Sequence, residues 1–142
     1  MSPIDSEVVA YIDGGSRGNP GPAGYGVRIE TPDGSLVAEL GAAIGTATNN
    51  VAEYRGLLAA LHYLLIHGYR HVLVRSDSLL LVQQMLGRYR VKNAGLQPLH
   101  AEAGQLVARI GRVAFEHVRR ENNVHADRLA NAAMDDGPSV AE

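Results

Sequence analysis

The sequence contains no cysteine, no tryptophan and only one phenylalanine among its 142 residues. Without cysteine the chain has no disulfides, no thiolate metal ligands and no cysteine nucleophile. Aromatic residues make up 5% of the chain, so a buried core must be built from alanine, valine, leucine and isoleucine. The longest apolar stretches, such as residues 79–82, are too short to cross a lipid bilayer.

Positive charge is also scarce. The formal net charge is −2 with 13 Lys and Arg residues, which argues against a nucleic-acid-binding protein, since such proteins usually present a basic surface. All but one of these residues are arginine, the exception being Lys92, and several of them cluster at residues 88–92 and 119–120. Arginine can donate two hydrogen bonds to one phosphate, but composition alone favours an ordinary charged surface.

The length and an average composition, 46% hydrophobic and 20% charged, predict one globular domain over residues 1–142. The first residues lack the basic flank and apolar segment of a signal peptide. We therefore expect a cytoplasmic monomer that does not associate with membranes. Residues 135–142 are expected to be a frayed tail.

Hydrophobic periodicity predicts three strands followed by alternating helices and strands. The segment 14–26 is rich in glycine and proline and is predicted to be a loop. The predicted strands lie at residues 8–12, 25–30, 36–44, 71–75 and 113–118, and the predicted helices are one that ends at Gly68 and others at 78–86, 96–110 and 124–134. This order is typical of an α/β domain with a five-stranded mixed sheet flanked by helices.

Four acidic residues lie at predicted element boundaries, and we call them the four acids. They are Asp13 after the first strand, Glu53 near the start of the first helix, Asp77 after the fourth strand and Asp127 near the start of the last helix. Ligands of open α/β sheets bind at the carboxyl ends of strands. Converging carboxylates there need positive charge, and hard oxygen ligands favour Mg²⁺ or Mn²⁺ over zinc.

Each acid except Asp13 also has a purely structural explanation. Glu53 stands three residues after Asn50, as in a capping box. Asp77 can cap the helix behind it, and Asp127 falls in a first helical turn, where a negative charge is favourable. Asp13 is harder to explain, because it ends an apolar strand without an obvious partner. Periodicity alone does not decide between these explanations.

The segments around the four acids resemble the motifs of type 1 ribonuclease H. They are DGGSRGNPGPAGYG at residues 13–26, TNNVAE at 48–53, SDS at 76–78 and ADRLA at 126–130. The motifs occur in the family's order, and the resemblance covers roughly residues 7–134. It implies the ribonuclease H-like fold.

The resemblance implies an endoribonuclease that hydrolyses the RNA strand of RNA–DNA hybrid duplexes and leaves 5′-phosphate and 3′-hydroxyl ends. It implies that the four acids hold two Mg²⁺ or Mn²⁺ ions when substrate is bound, one for the attacking water and one for the departing oxygen.

The resemblance also implies contacts with the hybrid. In this family, residues at the positions of Ser16, Asn19, Asn49 and Asn50 lie against the minor groove, where the 2′-hydroxyl identifies RNA. Thr48 and Asn93 resemble residues that bind a phosphate of the DNA strand. Asparagine is also common in turns and helix caps, and both roles can coexist.

The sequence departs from better-known members of this family. Only residues 87–93 stand where those members carry a basic handle rich in lysine and tryptophan, so the chain resembles a compact form without it. Leu79 replaces a glutamine that often helps to read the hybrid. The family's mobile histidine has no counterpart, because His117 falls in a predicted strand and His125 in the last helix.

Three other functions remain open. Another nuclease or a strand-transfer enzyme of the same fold would share the acids, but not Asn19 and the segment 48–50. A non-catalytic module that binds a hybrid or double-stranded RNA would not need all four acids. A nucleotide-binding loop at 14–26 is disfavoured, because Pro20 and Pro22 interrupt it and a strand follows it.

Overall fold

A computed structural model describes residues 6–140, with side chains as far as residue 135. Within this range it contains five strands and four helices. In chain order they are β1 (Val8–Ser16), β2 (Gly21–Glu30), β3 (Leu36–Ala47), α1 (Asn49–Ile66), β4 (His71–Ser76), α2 (Leu79–Met85), α3 (Gln97–Ile110), β5 (Arg112–His117) and α4 (Val124–Val140).

The strands form one mixed sheet in the order β3-β2-β1-β4-β5. The pairs β1–β2 and β2–β3 are antiparallel, whereas β4 runs parallel to both β1 and β5. Ile12 of β1 is paired with Ser76 of β4. The residues that follow this pair, Asp13 and Asp77, therefore lie side by side where the parallel pairing of β1 with β4 ends. Asp77 follows its strand as predicted, but Asp13 lies within β1, which continues to Ser16 because it remains paired with β2. The predicted five-stranded mixed sheet is confirmed.

The core lies largely between the sheet and α1. Leucines that recur every three or four residues along α1 are fully buried, among them Leu57, Leu61 and Leu64. The helix begins after Thr48, whose hydroxyl accepts a hydrogen bond from the Val51 amide at 3.2 Å. Gly68, with φ of 78°, follows its end, as predicted. The buried face of α1 thereby brings Glu53 to the sheet.

The glycine-rich segment is not a loop, so that prediction is wrong. β1 continues through Ser16 and β2 starts at Gly21, which leaves a turn of only four residues, 17–20. Glycine is required here because helices lie directly on the strands. A Cβ at Gly14 would lie 2.3 Å from the Ala52 carbonyl carbon of α1, and one at Gly26 would lie 2.4 Å from the Ala126 oxygen of α4.

Two structural explanations for the acids are also wrong. Thr48, not Asn50, caps α1, and Glu53 is the fifth residue of that helix, with only 9% of its surface exposed. Asp77 does not cap α2, because the Ser78 hydroxyl accepts the hydrogen bond from the Leu81 amide at 3.2 Å.

The last helix is longer than predicted. α4 continues to Val140, six residues past the expected end at Met134, and thus includes most of the predicted frayed tail. Residues 141–142 of that tail lie outside the described residues. Among the described helices, none combines the length and apolar character needed to cross a membrane.

Candidate active site

Three carboxylates meet where the parallel pairing of β1 with β4 ends. Asp13 belongs to β1, Asp77 follows β4, and Glu53 reaches them from α1. Each offers a carboxylate oxygen, and these oxygens lie within 4.8 Å of one another. The parallel pairing of β1 with β4 sets the first two side by side, and the close approach of α1 at Gly14 adds the third.

Asp127 joins this group from the opposite face of the sheet. It lies in the first turn of α4, where its amide donates to the carbonyl oxygen of Asn123 at 3.1 Å. Its carboxyl group is a neighbour of Asp13, since both a hydrogen bond with Asp127 and its charge help to raise the pKa of Asp13. It is not one of the three mutually close carboxylates, but it lines the same cleft. The structure therefore brings all four acids to one place.

Burial and mutual repulsion disfavour the charged forms of these acids. Asp13 is only 8% exposed, and burial, the charge of Asp77 and the hydrogen bond with Asp127 raise the pKa of Asp13 to about 7. Burial, reinforced by the charges of Asp13 and Asp77, raises the pKa of Glu53 well above its usual value. Burial raises the pKa of Asp77 too, against the opposing charge of Arg120.

The donor set of the cluster fits a divalent cation. Among the described residues, the Oε1 atom of Glu53 is buried without a hydrogen-bond partner. Such an atom costs about 1–3 kcal/mol of stability when nothing compensates it. All the candidate ligand atoms are carboxylate oxygens, which suit Mg²⁺ or Mn²⁺ better than softer metals. A cation among them would relieve both the repulsion and the unpaired oxygen.

The acids lie in an open cleft of about 730 Å³, whose lining also includes Ser16 and Asn49. The side-chain oxygen of Asn19 accepts a hydrogen bond from the Asn49 amide at 3.0 Å, so the turn between β1 and β2 is tied to the start of α1. Basic side chains line the cleft as well, namely Arg17, His117, Arg119 and Arg120. A cleft with acids at its base and cations beside them suits a polyanion that binds through a metal.

The other predicted substrate residues do not line this cleft. Thr48 caps α1, and Asn50 is exposed in the first turn of that helix. The Asn93 oxygen accepts from the amides of Gly95 at 2.7 Å and Leu96 at 3.2 Å, which shapes the loop before α3. The roles of Thr48, Asn50 and Asn93 in substrate binding stay predictions.

The structure places both histidines in the elements predicted for them, and the lack of a counterpart to the family's mobile histidine stays a prediction. His117 is the last residue of β5 and lines the cleft from there, while His125 is exposed on α4. The segment between β5 and α4 contains a short 3₁₀ turn, Arg120–Asn122.

Asn123 was not predicted as a site residue, and it is buried beside the acids with 1% of its surface exposed. Its side-chain nitrogen donates to the Ile12 carbonyl oxygen at 2.9 Å, across 111 positions of sequence, and the side chain lowers the pKa of nearby Asp77. An asparagine just before a helix is a recognisable signal for a cap, but no local pattern predicts a bond to a distant strand. Asn131 and Arg17, which also line the cleft, were missed for the same reason.

Comparisons with known proteins converge on one family. A family model described as "Reverse transcriptase-like" matches residues 11–133. The bifunctional protein Rv2228c of Mycobacterium tuberculosis is 52% identical over 130 residues, which are 91% of this chain and 36% of that protein. Ribonuclease HI of Halobacterium salinarum is 43% identical over 129 residues, 91% of this chain and 65% of that protein. The chain thus spans about a third of the length of its mycobacterial relative.

Solved structures agree with these matches. The N-terminal RNase H domain of Rv2228c from Mycobacterium tuberculosis, solved as a fusion with maltose-binding protein, superposes with a TM-score of 0.91 at 48% identity, covering 97% of this chain and 100% of that one. LC11-RNase H1, solved in complex with an RNA/DNA hybrid, superposes with a TM-score of 0.86 at 44% identity, covering 90% of this chain and 96% of that one.

Proposed function

This chain belongs to the type 1 ribonuclease H family, and from that membership we propose that it hydrolyses the RNA strand of RNA–DNA hybrids. The observation that carries the proposal is the cluster of carboxylates. Oxygens of Asp13, Glu53 and Asp77 lie within 4.8 Å of one another, and Asp127 is near enough to raise the pKa of Asp13. A relative crystallised with an RNA/DNA hybrid shares 44% of its sequence with this chain. The four acids are therefore our candidates for catalysis.

We propose that the four acids hold two Mg²⁺ or Mn²⁺ ions in the presence of substrate. The buried, unpaired oxygen of Glu53 and the raised pKa values of Asp13 and Asp77 support a cation in their midst. When bound, such ions supply a more acidic water and stabilise charge on the attacking and leaving oxygens of an in-line displacement. Water would form the new bond to phosphorus while the bond to the 3′ oxygen breaks, and the products would carry 5′-phosphate and 3′-hydroxyl ends.

The protein chain holds the acids in a defined orientation. Asp13 is held within β1, Asp77 directly follows β4, and Glu53 is held on a helix in contact with β1, so the sheet and α1 set the backbone positions of these acids. Ligands held in this way leave little reorganisation for the reaction step. The cations at the cleft, Arg17, Arg119 and Arg120, provide attraction for the phosphates of the duplex.

Recognition of RNA is proposed for the segments that flank the cleft. Ser16 and Asn49 line it, and Asn19 is bonded to the Asn49 backbone, so we assign reading of the 2′-hydroxyl to these residues with Asn50. Thr48 and Asn93 are assigned to a phosphate of the DNA strand. In the structure Thr48 and Asn93 accept hydrogen bonds through their side-chain oxygens, whereas a phosphate would accept from the Thr48 hydroxyl and the Asn93 side-chain nitrogen.

We further propose that the 142 residues form one domain that acts as a monomer. All five described strands join a single sheet, and α1 and α4 cover its two faces. The mycobacterial relative is much longer, and these 142 residues correspond to about a third of it.

A gel assay tests the proposed function. Labelled RNA–DNA hybrid, RNA duplex and DNA duplex are incubated with the protein in Mg²⁺, Mn²⁺ or EDTA. We expect endonucleolytic cleavage of the RNA strand of the hybrid alone, only with a metal, and none with Asp77→Asn. Asp33→Asn is the matched control, because Asp33 lies in the exposed turn between β2 and β3. Equal cleavage of the DNA duplex, or binding of the hybrid without cleavage, would contradict the proposal.

A further inference from the structure

Asn123 connects the elements that carry the acids. Its side-chain nitrogen donates to the carbonyl oxygen of Ile12, next to Asp13, at 2.9 Å, and the side chain lies near enough to the Asp77 carboxylate to lower the pKa of that group. Its own carbonyl oxygen accepts from the Asp127 amide at 3.1 Å. One buried residue thus contacts β1, the end of β4 and the first turn of α4.

The orientation of this side chain does not serve helix capping. An asparagine that precedes a helix ordinarily accepts a hydrogen bond from an amide of the first turn. Here the side-chain oxygen of Asn123 is buried and has no hydrogen-bond partner within the described part of the chain. The side-chain nitrogen donates to the Ile12 carbonyl oxygen of β1, while the side-chain oxygen accepts nothing. This is the opposite of what a cap requires, and it costs stability.

Asp77 needs such a donor. It follows β4 without belonging to a strand or helix, so its backbone is less constrained than that of Asp13 or Glu53. A hydrogen bond to one carboxylate oxygen fixes the rotation of the group and leaves the other oxygen for a ligand. Groups that orient a metal-binding side chain typically change metal affinity or activity about 10–100-fold when they are removed.

We propose that Asn123 is a positioning residue, which fixes the Asp77 carboxylate against β1 and α4 so that the acids present one geometry to the metal. This inference rests on the proposed function, since it assigns a role within the same site. Asn123 lies behind the acids and is not among the residues that line the cleft. Its effect is therefore on the metal and the reaction step, not on the hybrid.

The test replaces Asn123 with a better cap that cannot orient Asp77. Serine is a favoured residue before a helix, but its short side chain cannot bridge Ile12 and Asp77. For Asn123→Ser we expect an unchanged or higher melting temperature in EDTA, a kcat on hybrid lower by about 10–100-fold and an unchanged KM. Asn123→Ala, which neither caps nor donates, should show the same loss of kcat. Asn122→Ala, at the exposed neighbouring position, should match the parent in all three measurements.

A second readout does not depend on activity. Titration of each protein with Mn²⁺ in a calorimeter, without nucleic acid, should give an affinity about 10-fold weaker for both Asn123 variants than for the parent. If Asn123 has only a structural role, Asn123→Ser should keep the parent's kcat and its Mn²⁺ affinity. An unchanged kcat or an unchanged Mn²⁺ affinity in this variant would overturn the inference. If the parent does not cleave the hybrid, the proposed function fails, and the calorimetric comparison still decides the role of Asn123.

Discussion

At the scale of single residues, the burial that gathers the acids at one site also disfavours their charged forms and so destabilises the folded protein. Asp13 and Glu53 are each less than a tenth exposed and lie beside Asp77, so the folded chain without metal contains repelling carboxylates. Each unit of pKa shift corresponds to about 1.4 kcal/mol between protonation states. Residues selected only for stability would not be placed this way.

Asp13→Asn should therefore abolish cleavage and stabilise the metal-free protein. The amide removes a negative charge beside Asp77 and Glu53, and we expect an increase in the free energy of unfolding on the order of 1 kcal/mol at pH 7 in EDTA. Thermal melts in EDTA and in millimolar Mg²⁺ measure it. Mg²⁺ should stabilise the parent more than the variant, because a ligand that binds only the native state raises the melting temperature. A destabilised Asp13→Asn, with no Mg²⁺ effect on the parent, would contradict the cluster.

At the scale of elements, glycines set how closely the helices approach the sheet. A Cβ at Gly26 would lie 2.4 Å from the Ala126 oxygen and 2.6 Å from the Ala130 nitrogen, both backbone atoms of α4. Backbone cannot rotate away as a side chain can, so any larger residue at Gly26 must displace the helix. Since α4 carries Asp127, strand glycines also determine the geometry of the site.

Gly26→Ala should accordingly destabilise the protein by about 1–3 kcal/mol, the usual cost of overpacking, and lower its activity. Gly104→Ala is the matched control, because Gly104 lies within α3 and a Cβ there meets nothing within 4 Å. Replacing a helical glycine by alanine should stabilise by about 1 kcal/mol. Urea unfolding of the two variants measures both changes. Stability changes of the same sign would show that the approach of α4 does not depend on Gly26.

The loop between α2 and α3 carries the basic residues that could take the place of the missing substrate handle. Arg88, Arg90 and Lys92 are all exposed, and we expect modest hybrid affinity that falls steeply with salt. Each phosphate contact adds about 0.9 to the slope of log affinity against log salt for B-form DNA. Replacing the three residues with alanine should flatten this slope and raise KM.

Arg109→Ala provides the control for that loop. Arg109 lies in the last turn of α3, just before β5 begins, whereas the cleft lies where β5 ends, at His117. Its replacement should leave both slope and KM unchanged. If the triple variant keeps the parent's slope of log affinity against log salt, the loop does not contact the phosphates of the hybrid.

At the scale of the whole molecule, stability without metal should depend on pH in an unusual direction. The folded pKa of Asp13 is about 7 against an ordinary 3.8, and those of Glu53 and Asp77 are also raised. At a pH between the ordinary and the raised pKa of such a group, the folded state binds more protons than the unfolded state. The free energy of unfolding therefore falls as pH rises through this range. Glu7, whose pKa is lowered by amides of Arg70 and His71, acts oppositely, but only as pH falls below its ordinary 4.5.

We expect the melting temperature in EDTA to decrease from about pH 5 to pH 7.5, and millimolar Mg²⁺ to remove most of this decrease. The cation substitutes for protons at the carboxylates, and its binding strengthens as they ionise. Calorimetric melts across this range, with and without Mg²⁺, measure the effect. Asp13→Asn should show a smaller decrease in EDTA. A melting temperature that rises with pH in EDTA would contradict the raised pKa values.

Local patterns were sufficient for the architecture. Alternation along residues 36–44 and the leucines of α1 each depend on neighbours a few positions apart, because side chains repeat every 2 residues in strands and every 3.6 in helices. The resemblance of four short motifs then identified the acids, since each motif is contiguous in sequence. The same local reasoning failed at residues 14–26, where glycine indicated a loop.

The sequence by itself therefore determined the fold class and the four acids, and the tertiary structure decided what surrounds them. Only packing shows that Gly14 and Gly26 lie within strands beneath helices, that Glu53 is buried rather than part of a cap, and that Asn123 reaches Ile12. These features depend on contacts between residues as many as 111 positions apart. Periodicity predicts which face of an element is buried, but the partner that a side chain meets there is set by how the elements pack.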